Sequence, residues 1–320
     1  MSGHLSSGPL MHRPGDHDSW DPAVLQAQLA AWPLPQRVRV RKLNLGVQAE
    51  VWLVELGKER WVAKFAYQHQ HDFEAGLRAA EIVQRAGVRS GQPLRTRRGA
   101  LTVMVEGPPG HQHPLAVLEF VHGSPVGSVE AGRMPETAGA VLGRVHSALM
   151  EKGSGLLTPH DLVNDLAISA ENGDVGQHEW VRASMRHAIA EVRRFEASVL
   201  VTCGVIYGDG PELLVDVMTG SVGLIDWGGV AFGPLLYDIG MWTSRLRGRA
   251  RERFVDAYRS HAHLRVTELY GIDLYHRLRL TDLARYFAWR TVHKSSLLLP
   301  DGRKNEEHLA DVRERLLASY

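Results

Sequence analysis

The chain has 320 residues, of which 44% are hydrophobic and 23% charged, with a net charge of +1 and a pI near 8.0. This balance suits a soluble globular protein of one large or two medium domains, and it gives no field that would favour nucleic acid or a membrane surface. No apolar run approaches the ~18 residues of a membrane helix, and a single cysteine, Cys203, excludes an internal disulfide and fits a reducing cytoplasm.

Residues 1–20 are rich in Gly, Ser, Pro and His and read as a disordered leader. Asp21 and Pro22 then suit the cap and first position of a short helix, DPAVLQAQLAAW. Strand-like runs follow over Val38–Leu43 and Glu50–Leu56, around a turn at Asn44–Gly46, and a third over ERWVAKFAY. In this third run the period of two puts Val62, Lys64 and Ala66 on one face and Trp61, Ala63 and Phe65 on the other. A helix is predicted over His71–Ala86, closed by Gly87. Two more strands are predicted over Ala100–Glu106 and Leu115–Phe120. Beyond them the pattern turns helical, over Pro135–Leu149, Glu179–Val201, Leu235–Leu246, Ala250–Ala262 and from Asp273 onward. The implied plan is α+β and bilobal: a small β-rich lobe over 21–121 and a larger, mainly helical lobe over 122–320. No pattern in the sequence sets an oligomeric state.

The most informative stretch is VIYGDGPELLVDVMTGSVGLIDWGGVAFGPLLYDIG, residues Val205–Gly240. Asp209 and Asp226 each follow a short apolar run, each sits beside glycine, and a hairpin-like segment separates them. Such an arrangement delivers two carboxylates from neighbouring strand ends into one cleft. Phosphoryl transfer uses that geometry, one carboxylate orienting the attacking hydroxyl and another holding metal on the phosphates.

The chain resembles the aminoglycoside phosphotransferase family of small-molecule kinases, which share the protein-kinase-like fold. The resemblance runs from about Val38 to the C-terminus and is carried by YGD (Tyr207–Asp209), IDWGG (Ile225–Gly229) and LLYDIG (Leu235–Gly240). VAKF around Lys64, LEFVHGSPV (Leu118–Val126) and LGRVHSAL (Leu142–Leu149) support it in order and spacing. It implies transfer of the γ-phosphate of ATP, with Mg²⁺, to a hydroxyl of a small molecule: an antibiotic, sugar, nucleoside or amino alcohol. By the same resemblance Asp209 is the catalytic carboxylate and Asp226 the metal ligand, while Lys64 holds the phosphates with Glu74, or Glu81, as its charge partner. Val62 would form part of the adenine ceiling, Gly46 would lie in the phosphate-covering loop, and the Glu119–Val121 backbone would be the hinge that binds adenine. Asp238 and His146 match positions that brace the catalytic loop.

The pattern also departs from the family. Members read like H-G-D-L-H-P-G-N-V-L-V at the catalytic loop, whereas this chain has the shorter YGDGPELLV, with Tyr207 for the histidine and no asparagine. Glu212 aligns best with that asparagine and would be the second metal ligand, an oxygen donor suited to Mg²⁺. The shortened loop fits an alternative as well, a nucleotide-binding kinase-like protein that no longer transfers phosphate. His69, His71, His111 and His113 read as exposed loop histidines. The arginines from Arg245 to Arg253 read as a solvated basic face, which argues against a strongly cationic acceptor.

Overall fold

Asp21 and Pro22 start the first helix as their chemistry dictates. In a computed structural model of the chain, describing residues 20–43, 49–67, 70–107, 111–126, 134–293 and 303–320, the Asp21 carboxylate accepts from the Ala23 N–H at 2.8 Å and opens α1 (Pro22–Gln28). Residues 1–19 and Gly46 lie outside the described residues. Trp20, which the sequence assigns to the leader, is buried and stacks on Phe65 with ring centroids 4.1 Å apart.

The alternating runs become an antiparallel sheet of β1 (Arg39–Leu43), β2 (Ala49–Leu56), β3 (Glu59–Ala66), β4 (Pro93–Leu94), β5 (Val103–Gly107) and β6 (His111–Glu119). Its order is β1-β2-β3-β6-β4, with β5 also pairing β6. On β3, Trp61, Ala63 and Phe65 join a core with Trp20, Leu25 and Trp32. The register sets Val62 opposite Leu53 and Leu118, and Lys64 opposite Val51 and Ala116. Directly opposed residues share a face, so Lys64 projects from an apolar patch on the other side of the sheet. The helix predicted from His71 is α2 (Gln70–Arg85), after which Gly87 takes the left-handed conformation at φ +85°. Phe73 and Leu77 of α2 pack with Ala66 and Ala116 of the sheet, while Ala79, Ala80 and Val83 enter the core of the second half. One helix therefore binds the two halves together.

The second half holds α3 (Pro135–Lys152), α4 (Leu162–Asn172), α5 (Glu179–Glu196), α6 (Leu235–Trp242), α7 (Gly248–Arg259), α8 (Ile272–Val292) and α9 (Asn305–Leu317). The sequence pattern missed α4 and extended α5 to Val201, whereas the helix stops at Glu196. The short strands also differ from expectation. β8 (Cys203–Ile206) pairs with β11 (Ala231–Pro234), and β9 (Leu213–Val215) pairs with β10 (Val222–Leu224) and with β7 (Ser124–Pro125). The hairpin expected between the aspartates forms as β9 and β10, but Asp209 follows β8 and Asp226 follows β10, which lie in two separate sheets. Among the described residues no helix is long and apolar enough to cross a membrane.

Trp20 gives the sharpest test of where the folded chain begins. Trp20→Ala removes a buried, stacked ring, and equilibrium urea unfolding is expected to show a loss of about 3–5 kcal/mol; an unchanged midpoint would place Trp20 outside the fold.

Candidate active site

The site is assembled around one buried carboxylate. Asp238, in the first turn of α6, accepts from the Tyr207 N–H at 2.7 Å and the Gly208 N–H at 2.8 Å, and its Oδ2 lies 2.8 Å from His146 Nε2. His146 is fully buried on α3, with its Nδ1 2.9 Å from the Tyr258 hydroxyl. These bonds fix the backbone immediately before Asp209. Gly208 completes the turn at φ +78°, and a side chain there would collide with the Gly229 carbonyl, so only glycine lets the two acidic loops touch.

Further bonds tie those loops to each other and to the small lobe. The Tyr207 hydroxyl donates to the Ile225 carbonyl at 2.5 Å, directly before Asp226. The Trp242 indole donates to the Asp209 carbonyl at 3.1 Å, and the Trp227 indole to the Ser90 carbonyl at 3.0 Å. Tyr207 stands where the family has histidine, and sequence reasoning treated it as packing. Its hydroxyl is instead a structural link between Asp209 and Asp226.

Asp209 presents a carboxylate with unequal oxygens. Oδ1 accepts from the Gly210 N–H at 2.8 Å and lies 3.3 Å from Arg279 Nη2. Oδ2 makes no hydrogen bond among the described residues, and the side chain is 49% exposed. Although this side chain is half-exposed, the protein packed around the carboxyl displaces solvent from it and pushes it above its usual range; Arg279 and the Gly210 N–H pull it down, Asp226 and Asp238 push it up, and the balance is a raised value. Glu212 is exposed beside them and is raised as well, by desolvation from the surrounding protein and by the charges of Asp209 and Asp226.

Asp226 is one of two non-glycine residues in the left-handed region among the described residues, at φ +64°. Such strain is kept where surrounding structure imposes it, commonly at functional sites. Lys64 Nζ reaches its Oδ1 at 2.6 Å across 162 positions of sequence, and the lysine charge holds the Asp226 carboxyl below its usual range.

That pair corrects one expectation. Glu74 does not pair with Lys64, because nearer donors saturate it: Thr102 at 2.7 Å, Gln70 at 2.9 Å and Arg78 at 3.0 Å. Burial pushes Glu74 up, yet these hydrogen bonds and the Arg78 charge outweigh it and leave the carboxyl lowered. Glu81 is held by both of its oxygens to Arg95, at 2.7 and 2.8 Å. At the other wall, Glu119 ends β6 and its N–H donates to the Gln92 carbonyl at 2.9 Å, while the Val121 backbone makes no hydrogen bond among the described residues. His71 is exposed, but His113 lies in β6 with its ring edge-on to Trp20 at 5.7 Å, which corrects its reading as a loop histidine. Among the described residues no group of three or more His, Cys, Asp or Glu gathers as a metal cage.

A β-rich lobe carrying Lys64, a helical lobe carrying two loop aspartates, and a cleft between them define a small-molecule phosphotransferase with the protein-kinase-like fold. The chain belongs to the phosphotransferase enzyme family, whose sequence model matches residues 39–281. Compared with curated proteins by sequence, it has no match. Among solved structures it is similar to a microcompartment-associated aminopropanol kinase, with a TM-score of 0.68 at 19% identity, over 93% of this chain and 95% of that one. It is also similar to a spectinomycin phosphotransferase bound to ADP and spectinomycin, with a TM-score of 0.63 at 13% identity, over 94% and 99% of the two chains. A choline/ethanolamine kinase family protein from Mesorhizobium loti aligns at 0.63 and 17% identity, over 92% and 93%.

The raised Asp209 carboxyl has a consequence for stability. A carboxyl that titrates higher folded than unfolded makes its ionised form costly above that range and harmless once protonated. Asp209→Asn is therefore expected to raise Tm near pH 7, with the gain shrinking as pH falls through the raised carboxyl range and gone once the unfolded carboxyl is protonated too, in paired thermal melts of variant and wild type.

Proposed function

We propose that the protein transfers the γ-phosphate of ATP to a hydroxyl of a small molecule, with Mg²⁺. The observation that carries this reading is the Lys64–Asp226 pair, 2.6 Å across the cleft, beside an Asp209 carboxylate whose Oδ2 has no hydrogen-bond partner among the described residues. In the nucleotide complex Lys64 would exchange Asp226 for the phosphates, Val62 would cover the adenine, and the Glu119–Val121 backbone would bind its edge. Asp209 Oδ2 would accept the hydroxyl's proton as the oxygen attacks, a transfer in which positioning does most of the work.

The donors available fit Mg²⁺. Asp226 is an ionised carboxylate held by the Lys64 ammonium and the Gly228 N–H, and Glu212 supplies a second hard oxygen donor close to it. Two carboxylates are what this ion usually takes from protein when phosphates and water complete its shell. Bound there, the ion would neutralise charge developing on the phosphate oxygens. Glu74 has no phosphate-holding part in this proposal; it braces α2 instead. A cytoplasmic location belongs to the same proposal, since Cys203 is unpaired and exposed.

A second reading, nucleotide binding without transfer, is favoured by one specific feature: Glu212 brings a third negative charge to a loop shorter than the family's. The two readings separate in a turnover assay with ATP, Mg²⁺ and a panel of amino alcohols, sugars, nucleosides and aminoglycosides. Transfer by the wild type, reduced about 10²–10⁴-fold in kcat by Asp209→Ala, is the expected result. ATP binding with no transfer to any acceptor would favour the second reading.

A further inference from the structure

The helix α8 places a charged group beside Asp209 that no motif marked. Arg279, Asp282 and Arg285 recur at three-residue spacing along α8 and so fall on neighbouring parts of one helix face. Arg279 is 12% exposed; its Nη1 donates to Asp282 Oδ2 at 3.3 Å, and its guanidinium lies over the Tyr237 ring, 5.6 Å from the centroid. Asp282 is in turn held by Arg285 at 2.8 and 3.1 Å and by the Tyr237 hydroxyl at 3.1 Å. One end of the guanidinium is therefore anchored to α8 and α6. The other end, Nη2, faces Asp209 Oδ1 at 3.3 Å, and the buried Nε–H has no partner among the described residues. A buried arginine with an unsatisfied donor is a costly feature to keep for packing alone, because the guanidinium cannot shed its charge.

We propose that Arg279 is the positioning residue of the Asp209 carboxylate. Together with the Gly210 N–H it occupies Oδ1, which fixes the rotation of the carboxylate and leaves Oδ2 to meet the acceptor hydroxyl. The same contact opposes the groups that work against ionisation. Those facing Asp209 are Asp226 from the loop after β10, Asp238 from α6 and Glu212 from its own loop, all negative; Arg279 from α8 is the cation among the causes that act directly on Asp209. A base must be ionised to take a proton, and it must point at that proton. Arg279 serves both needs from outside the motif that carries Asp209. It does not touch the acceptor in this account; it acts through the carboxylate.

The proposal rests on Asp209 being the base, so its test includes a readout that needs no phosphoryl transfer. The protein is labelled with ¹³C at Asp carboxyl carbons, the Asp209 signal is assigned by its loss in Asp209→Asn, and its titration is followed in EDTA. In Arg279→Met, which keeps volume and removes charge, the Asp209 midpoint moves upward from its wild-type value. In Arg279→Lys, which keeps the charge and loses the two-ended reach, it falls between the two. Should Arg279→Met fail to fold, Arg279→Lys and Asp282→Asn, which frees the anchored end, give the same upward reading. With an acceptor identified, Arg279→Met lowers kcat about 10-fold or more while KM for ATP stays within about two-fold, and Arg279→Lys restores part of the rate. A midpoint that stays put or falls in the folded variants overturns the proposal. Absence of turnover in the wild type would instead count against the kinase reading and leave the titration to decide the role of Arg279.

Discussion

The site depends on one buried anion. Asp238 has no solvent to stabilise its charge, and two backbone N–H groups and His146 do so instead. An anion buried at this depth is stable only with such partners, and removing one would strand the charge. Because both N–H groups belong to the residues just before Asp209, satisfying the anion also sets the course of the loop that carries Asp209. Tyr207 extends that control to the second loop through the Ile225 carbonyl, and Trp227 extends it to the small lobe through Ser90. From a single electrostatic requirement in α6, both aspartates acquire fixed positions.

Against this rigid floor, the charges at the cleft are poised rather than satisfied. Lys64 and Asp226 neutralise each other at 2.6 Å, an arrangement that a ligand carrying both phosphates and a cation would take over in the proposed function. Asp209 is pushed toward its neutral form by burial and by its acidic neighbours, and Arg279 opposes that push. Such a conflict is expected where function rather than stability selects the arrangement. The shortened loop reaching Glu212 concentrates still more negative charge there, which a divalent ion would offset.

Much of this was legible in the sequence, for identifiable reasons. The alternation of β3 and the long periodic α2 are local patterns, and they gave the small lobe and the face of Lys64. The two aspartates were legible because glycines frame them, and glycine at Gly208 answers a steric demand of the turn itself. Pairings over distance were not legible. The hairpin between the aspartates was legible and forms as β9 and β10; that β8 pairs with β11 beyond it, putting the strands before Asp209 and Asp226 in two sheets, was not. The resemblance puts a charge partner for Lys64 on the following helix, as Glu74 or Glu81, but does not say which donors wait there; Thr102, 28 positions from Glu74, bonds it instead. Arg279 lies 70 positions beyond Asp209 on a helix with several arginines, where spacing alone distinguishes none of them.

The central claim is that Lys64 and Asp226 form the nucleotide–metal end of the cleft, with the ion bound to Asp226. Calorimetric titration of ATP with and without Mg²⁺, on wild type and Asp226→Asn, tests it most directly. The account predicts that Mg²⁺ tightens ATP binding at least about ten-fold in the wild type, ~1.4 kcal/mol, and that Asp226→Asn abolishes the Mg²⁺ effect. ATP binding that ignores both the ion and the substitution would contradict it.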